Sequence, residues 1–126
     1  MPIRVVLIED NTVFRQALEL LLALPEDIEV VAAEPDGSRV VELCHELAPD
    51  VLLVDYRLPG LDGVQITRLV RERCPEVALV VLTAAAEDLE IEALLQAGAV
   101  ACVRKDQPLD AIVEAVRAAA AQVEAG

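Results

Sequence analysis

Asp55 stands where an uninterrupted apolar run ends abruptly on a carboxylate, in the stretch Val51 to Gly63, VLLVDYRLPGLDG, with Pro-Gly and Asp-Gly turn signals just beyond it. Such a run bounded by turn residues reads as a buried strand. A carboxylate at the carboxyl end of a strand sits at the mouth of an open α/β sheet, where ligands and chemistry collect in that architecture. Taken alone, Asp55 reads equally well as a cap on the turn. Its company decides: Glu9 and Asp10 follow the apolar run Ile3 to Ile8, Thr83 follows Val77 to Leu82, and Lys105 follows Ala99 to Val103. Asp10 as a helix cap, Thr83 as strand filler and Lys105 as a solvated charge are each ordinary readings. Four coincidences at four equivalent strand ends point instead to one cleft. Three carboxylates in one pocket repel by roughly 1 kcal/mol per pair at ~4 Å in water and about 4 kcal/mol at an effective dielectric near 20, so the cluster needs a cation or must hold protons. Mg²⁺ takes oxygen ligands, keeps several waters and bridges to phosphate oxygens. A lysine ammonium and a threonine hydroxyl beside it complete the parts for positioning and neutralising a transferring phosphoryl group, with Asp55 as nucleophile.

The elements that must position these residues alternate between strand and helix. Ile3 to Ile8 is a strand; Val13, Phe14, Ala17, Leu18, Leu21 and Leu22 then recur at helical spacing over roughly Thr12 to Leu24, with Asp10 or Asn11 able to cap and Pro25 ending the run. Ile28 to Ala33 is a weaker strand with charges near its ends, an edge-strand pattern, and Ser38 after Pro35-Asp36-Gly37 predicts the cap of a helix through Leu47. Helices over Gly63 to Arg73 and Asp88 to Ala97 follow, Gly98 stopping the latter, and Leu109, Ile112, Val113 and Val116 line one face of a last helix. Five βα units of this length predict a doubly wound α/β domain, a parallel sheet with helices on both faces and right-handed connections.

Composition narrows the classes. At 126 residues, 56% hydrophobic with almost no aromatics, the chain predicts one aliphatic-cored domain, residues 1–121, with 122–126 as a C-terminal tail or the start of a linker. The longest charge-free stretch, Ala93 to Val103, falls far short of the ~20 residues that span a bilayer, and the N-terminus lacks a secretory pattern, so a cytoplasmic address with no membrane partner is expected. Cys44, Cys74 and Cys102 are widely spaced, which predicts reduced structural thiols rather than a disulfide framework or zinc site. A net charge of −13 opposes attraction to phosphate backbones, so direct nucleic-acid binding is not expected.

Glu9-Asp10, Asp55 before RLPGLDG, Thr83-Ala84 and Lys105 together resemble the acidic pair, phosphoacceptor, hydroxyl and lysine of bacterial response-regulator receiver domains, over nearly the whole chain. DYRLPGLDG and QAGAVACVRKD look most like receivers that carry a LuxR-type helix-turn-helix output domain, which these 126 residues do not include. The resemblance implies a flavodoxin-like five-stranded sheet of order 2-1-3-4-5. It implies phosphoryl transfer from a sensor histidine kinase to Asp55, with Mg²⁺ or Mn²⁺ held by Glu9, Asp10, Asp55 and the Arg57 carbonyl, and with Thr83, Ala84 and Lys105 at the phosphoryl group. It further implies an output, transcription, controlled by the switched surface, and a homodimer on phosphorylation. Two residues depart from the pattern: Cys102 stands where the family usually has an aromatic switch residue, and Asp106 rather than Pro follows Lys105. Cysteine has no ring to swing, so any phosphorylation-dependent dimer is expected to be shallow or to use another surface, such as helices one and five. The haloacid-dehalogenase-type phosphatases also use an aspartyl-phosphate on a doubly wound sheet, but they carry a general-acid Asp where Arg57 stands here. A phosphorylation-independent interaction module would have no need of the full acidic, Thr and Lys set.

Overall fold

The computed structural model describes residues 2–58, 61–84 and 88–125. Five strands form one parallel sheet: β1 (Ile3–Ile8), β2 (Ile28–Glu34), β3 (Val51–Asp55), β4 (Ala78–Thr83) and β5 (Ala101–Arg104), in the spatial order 2-1-3-4-5. The helices between and after them are α1 (Thr12–Ala23), α2 (Val40–Leu47), α3 (Gly63–Arg73), α4 (Asp88–Ala97) and α5 (Asp110–Ala125). β2 is an edge strand, as its flanking acids predict. β3 lies at the centre with all five residues buried, because both of its faces are covered.

Alternation along the strands splits the core in two. Val6, Ile8, Leu52, Val54, Leu79 and Val81 point to the face covered by α2, α3 and α4, where they meet Leu43, Ile66, Val70 and Leu94. Val5, Leu7, Val51, Leu53, Val80 and Leu82 point to the other face and pack on Leu18 and Leu22 of α1 and on Ile112 and Val116 of α5. At ~1.5–3 kcal/mol for each fully buried Leu, Ile or Val, these two aliphatic layers carry the fold with almost no aromatic contribution.

Local chemistry sets the element ends. Asn11 caps α1, its Oδ1 accepting from the Phe14 N–H at 2.9 Å. Asp62 and Gln65 form a reciprocal capping box at α3, and Gly98, at φ +122°, ends α4. Ser38 does not cap α2. Its N–H and Oγ both donate to Asp36 Oδ1, at 2.9 and 2.6 Å, closing the preceding turn on itself, and Arg39 takes the cap position without a side-chain bond. Ala48 ends α2 in the left-handed region, φ 46°, where glycine is the usual residue. A short antiparallel hairpin, Arg57–Leu58 with Leu61–Asp62, links β3 to α3. The Pro59-Gly60 turn read from the sequence lies outside the described residues. α5 continues through Ala118 to Ala121 and on to Ala125, so the helix shows no break at residue 121.

Candidate phosphoryl-transfer site

Strand register gathers the sequence-predicted residues. Ile8 pairs with Val54, which brings Glu9 beside Asp55 at the next step. Asp55 pairs with Leu82 and Thr83 with Arg104, so Thr83 closes β4 and Lys105 stands one residue past β5. Two backbone bonds carry the ladder beyond the strand ends: the Tyr56 N–H donates to the Leu82 carbonyl and the Lys105 N–H to the Thr83 carbonyl, both at 2.7 Å. By the same alternation that divides the core, Glu9, Asp55 and Lys105 fall on the α1/α5 face, whereas Thr83 shares the parity of Val81 and Cys102 on the other face. β1 and β3 are the neighbouring strands at which this strand order reverses, the switch point where open α/β sheets bind ligands.

One carboxylate oxygen from each of Glu9, Asp10 and Asp55 lies within 4.8 Å of the others. Glu9 is fully buried and Asp55 is 6% exposed, while Asp10 faces solvent. The Lys105 ammonium sits among them, 2.6 Å from Glu9 Oε1 and 3.3 Å from Asp55 Oδ1. Glu9 Oε2 accepts from the Asn11 N–H at 3.0 Å. Glu9 Oε1, buried, has the lysine as its ion-pair neighbour and accepts no hydrogen bond. One lysine cannot neutralise three carboxylates. Accordingly the Asp55 carboxyl is pushed up to about 7, first by burial and then by its hydrogen-bonded neighbours Asp10 and Glu9, with Lys105 pulling the other way. Asp10 moves down, chiefly through its side-chain hydrogen bond with the Asp55 carboxyl. Two answers to the repulsion thus meet in the cleft, the Lys105 ammonium and the raised pKa of Asp55. The donor set fits a hard divalent cation: acidic oxygens only, one of them buried and accepting no hydrogen bond, and one side open to water.

The remaining residues take their places around this cluster. Arg57 is exposed in the hairpin, its N–H donating to Asp55 Oδ1 at 3.3 Å. Thr83 is buried at 3% exposure, and Ala84 is exposed at the bend that follows. Cys102 lies half-buried against the α2/α3/α4 core, and burial pushes its thiol pKa up. Cys44 and Cys74 are buried free thiols. His45 is on α2 near its C-terminus, its ring Nε2 against the Arg73 carbonyl at 3.2 Å, away from the cleft edge. Sequence reasoning missed three neighbours of the site. The Lys105 ammonium stands 4.8 Å over the Phe14 ring, the Tyr56 ring packs across Gly63 so closely that a Cβ there would lie 2.8 Å from it, and Arg15 Nη1 donates to the Glu9 carbonyl at 2.6 Å. The signal was available in the composition: the chain has one Phe and one Tyr, and both flank the cleft.

A doubly wound sheet with an acidic, lysine-paired cleft at its switch point defines the class: a flavodoxin-like domain. Within that class the chain belongs to the response regulator receiver domain family, which matches residues 5–117. It is 36% identical over 118 residues to the transcriptional regulatory protein DegU of Brevibacillus brevis, covering 94% of this chain and 50% of that one. It is 39% identical over 109 residues to protein-glutamate methylesterase/protein-glutamine glutaminase 5 of Myxococcus xanthus, covering 86% of this chain and 31% of that one. The signal receiver domain of the response regulator NarL from Mycobacterium tuberculosis superposes with a TM-score of 0.86 at 35% identity, covering 94% of this chain and 96% of that one. The chain thus spans half or less of the length of these two curated relatives. Family membership displaces the phosphatase reading. Among the described residues, no helix is long and apolar enough to cross a membrane.

Proposed function

We propose that this domain accepts a phosphoryl group on Asp55 from the phosphohistidine of a sensor histidine kinase, in the cytoplasm, and passes the change to an output that controls transcription. The observation that carries the reading is the strand-end cluster of Glu9, Asp10 and Asp55 with Lys105 among them. An Asp55 carboxylate oxygen attacks phosphorus, the bond to the imidazole nitrogen of the donor breaks, and the imidazole leaves with the bonding pair. Glu9, Asp10, Asp55 and the Arg57 carbonyl hold Mg²⁺ or Mn²⁺. When bound, the ion offsets the charge of the carboxylates and of the incoming phosphoryl oxygens. Lys105, the Thr83 hydroxyl and Ala84 meet the remaining phosphoryl oxygens, and the ammonium is already within 3.3 Å of the attacking group. The domain catalyses only its own phosphorylation and dephosphorylation. Its likeness to DegU supports the transcriptional output, and the acidity of the chain supports leaving DNA contact to another domain.

Incubation with acetyl phosphate, read by intact mass, tests this. The wild type is expected to gain one phosphoryl mass only with a divalent cation present, and Asp55→Asn none. A comparable gain in Asp55→Asn sinks the assignment of the acceptor.

A further inference from the structure

Among the described residues, three groups stand around the Lys105 ammonium: Glu9 Oε1 at 2.6 Å, Asp55 Oδ1 at 3.3 Å and the face of the Phe14 ring, its centroid 4.8 Å away. Two are carboxylates that the phosphoacceptor reading already uses, and the ring is not. Lys105 is the chain's only lysine and Phe14 its only phenylalanine. The backbone puts the ring there. Asn11 caps α1, so Phe14 falls in the first turn, one turn before Leu18 on the face that meets the sheet, and helical side chains lean towards the helix N-terminus. The ring packs half-buried on the α1/α5 core layer, where the sheet ends and the cleft begins. The Asn11 N–H donates to Glu9 Oε2 at 3.0 Å and the Phe14 N–H to Asn11 Oδ1 at 2.9 Å, so one short run of bonds sets both the carboxylate and the ring that meet the ammonium.

We propose that Phe14 is a positioning residue for phosphoryl transfer: its ring seats the Lys105 ammonium beside Asp55 by cation–π attraction and leaves it free to turn from the carboxylates to a phosphoryl oxygen. The inference rests on the phosphoacceptor reading of Asp55. An ammonium between two carboxylates has to give up part of that attraction when the phosphoryl group arrives, and a third oxygen acceptor would hold it back further. A ring face attracts the cation without a directional bond. It also keeps water from the side of the cation that it covers, and the lysine side chain is only 20% exposed although it ends in a cleft open to solvent. Attraction to the ring strengthens as water is removed. An aliphatic side chain at position 14 would fill the same edge of the core but present no negative face to the ammonium, so one substitution, Phe14→Leu, separates positioning from packing.

Isotope-labelled lysine gives a single set of side-chain NMR signals in this chain, and no phosphodonor is needed to read it. In the wild type the Lys105 ε-methylene and ammonium resonances are expected upfield of a free lysine's, from the ring current of Phe14. Phe14→Leu should return them to the free positions, and Phe14→Tyr should keep the shift. Activity is read by intact mass during incubation with acetyl phosphate and Mg²⁺. Phe14→Leu should take up phosphoryl roughly three- to thirtyfold more slowly, the range that a cation–π contact spans, with its Mg²⁺ affinity by calorimetry unchanged, and Phe14→Tyr should run close to the wild-type rate. In a Lys105→Met background Phe14→Leu should slow uptake no further, because the ring acts only through the ammonium. Lys105 resonances at the free positions in the wild type overturn the proposal. Equal slowing by Phe14→Leu with and without the lysine does so too, as does a Phe14→Tyr variant as slow as Phe14→Leu, since either would make the ring a packing element alone. Mass gained by Asp55→Asn is a separate result: it removes the acceptor, and the proposal with it, while leaving the Lys105 shift in place.

Discussion

At the scale of single residues, the cleft is governed by a shortage of positive charge. Three carboxylates share one ammonium, and the Asp55 carboxyl answers by holding its proton up to about pH 7. In the unfolded chain the same group releases its proton near 3.8. Between those values the folded, metal-free protein binds a proton that the unfolded chain has lost, so this group's contribution to stability falls as pH rises through the window. Asp10, shifted downwards, acts the opposite way but only at lower pH, outside that window. In excess chelator, the wild type should therefore lose more melting temperature between pH 5 and pH 7.5 than Asp55→Asn does, by several degrees for each ~1 kcal/mol involved. The variant should be the more stable of the two at pH 7.5, with the difference narrowing as pH falls towards 4. Parallel pH profiles would mean that Asp55 titrates normally. The carboxylates and the lysine were legible in sequence because each ends an apolar run, and strand alternation then fixes their face. The contacts of Phe14 and Tyr56 were not, because their being the chain's one Phe and one Tyr singles them out without saying that one ring meets a lysine and the other a glycine.

At the scale of elements, the helix and strand periods were legible nearly to the residue. β1 and α3 fall where the pattern puts them, because apolar repeats and turn residues coincide there. The errors lie where side chains compete locally for backbone groups. Ser38 looked like a cap, but Asp36 two residues earlier captures both its N–H and its hydroxyl, and the helix starts at Val40 instead. The start of β5 also slipped: Ala99 and Val100 are apolar, yet they lead from the Gly98 stop into the sheet and the strand proper begins at Ala101. Position 102 on that strand carries a prediction at this scale. A thiol buries far less area than a ring of ~150–250 Å², so its differential contacts in two states are worth correspondingly less. Because a ligand shifts a two-state element only by its differential free energy, phosphorylation should bias the α4/β5/α5 face weakly in the wild type and more strongly in Cys102→Tyr. Dimer affinity with and without a beryllofluoride mimic of the phosphoryl group measures the two biases. Equal tightening of wild type and variant through that face would show that Cys102 is no impediment.

For the whole molecule, the charge of −13 and the cleft are parts of one problem. A domain this acidic is held together against its own field, and among the described residues the carboxylates of Glu9, Asp10 and Asp55 converge within 4.8 Å of one another. A divalent cation bound there by the folded state alone should raise stability as RT ln(1 + [L]/Kd), about 1.4 kcal/mol for each tenfold excess over Kd. General screening by salt also relieves self-repulsion, so the comparison has to be made at constant ionic strength, with NaCl replacing MgCl₂. Under those conditions the melting temperature at pH 7.5 should climb with the logarithm of Mg²⁺ in the wild type. Asp10→Asn separates the cluster from the rest of the surface. Asp10 is exposed and carries only one of 23 acidic groups, so its neutralisation changes the global field little while removing one of three charges from the cleft. The variant is expected to melt higher than the wild type in chelator and to respond far less to Mg²⁺. A variant that melts no higher without metal, or that gains as much from Mg²⁺ as the wild type, would show that the cation acts on the diffuse charge of the surface and that these three carboxylates do not form its site.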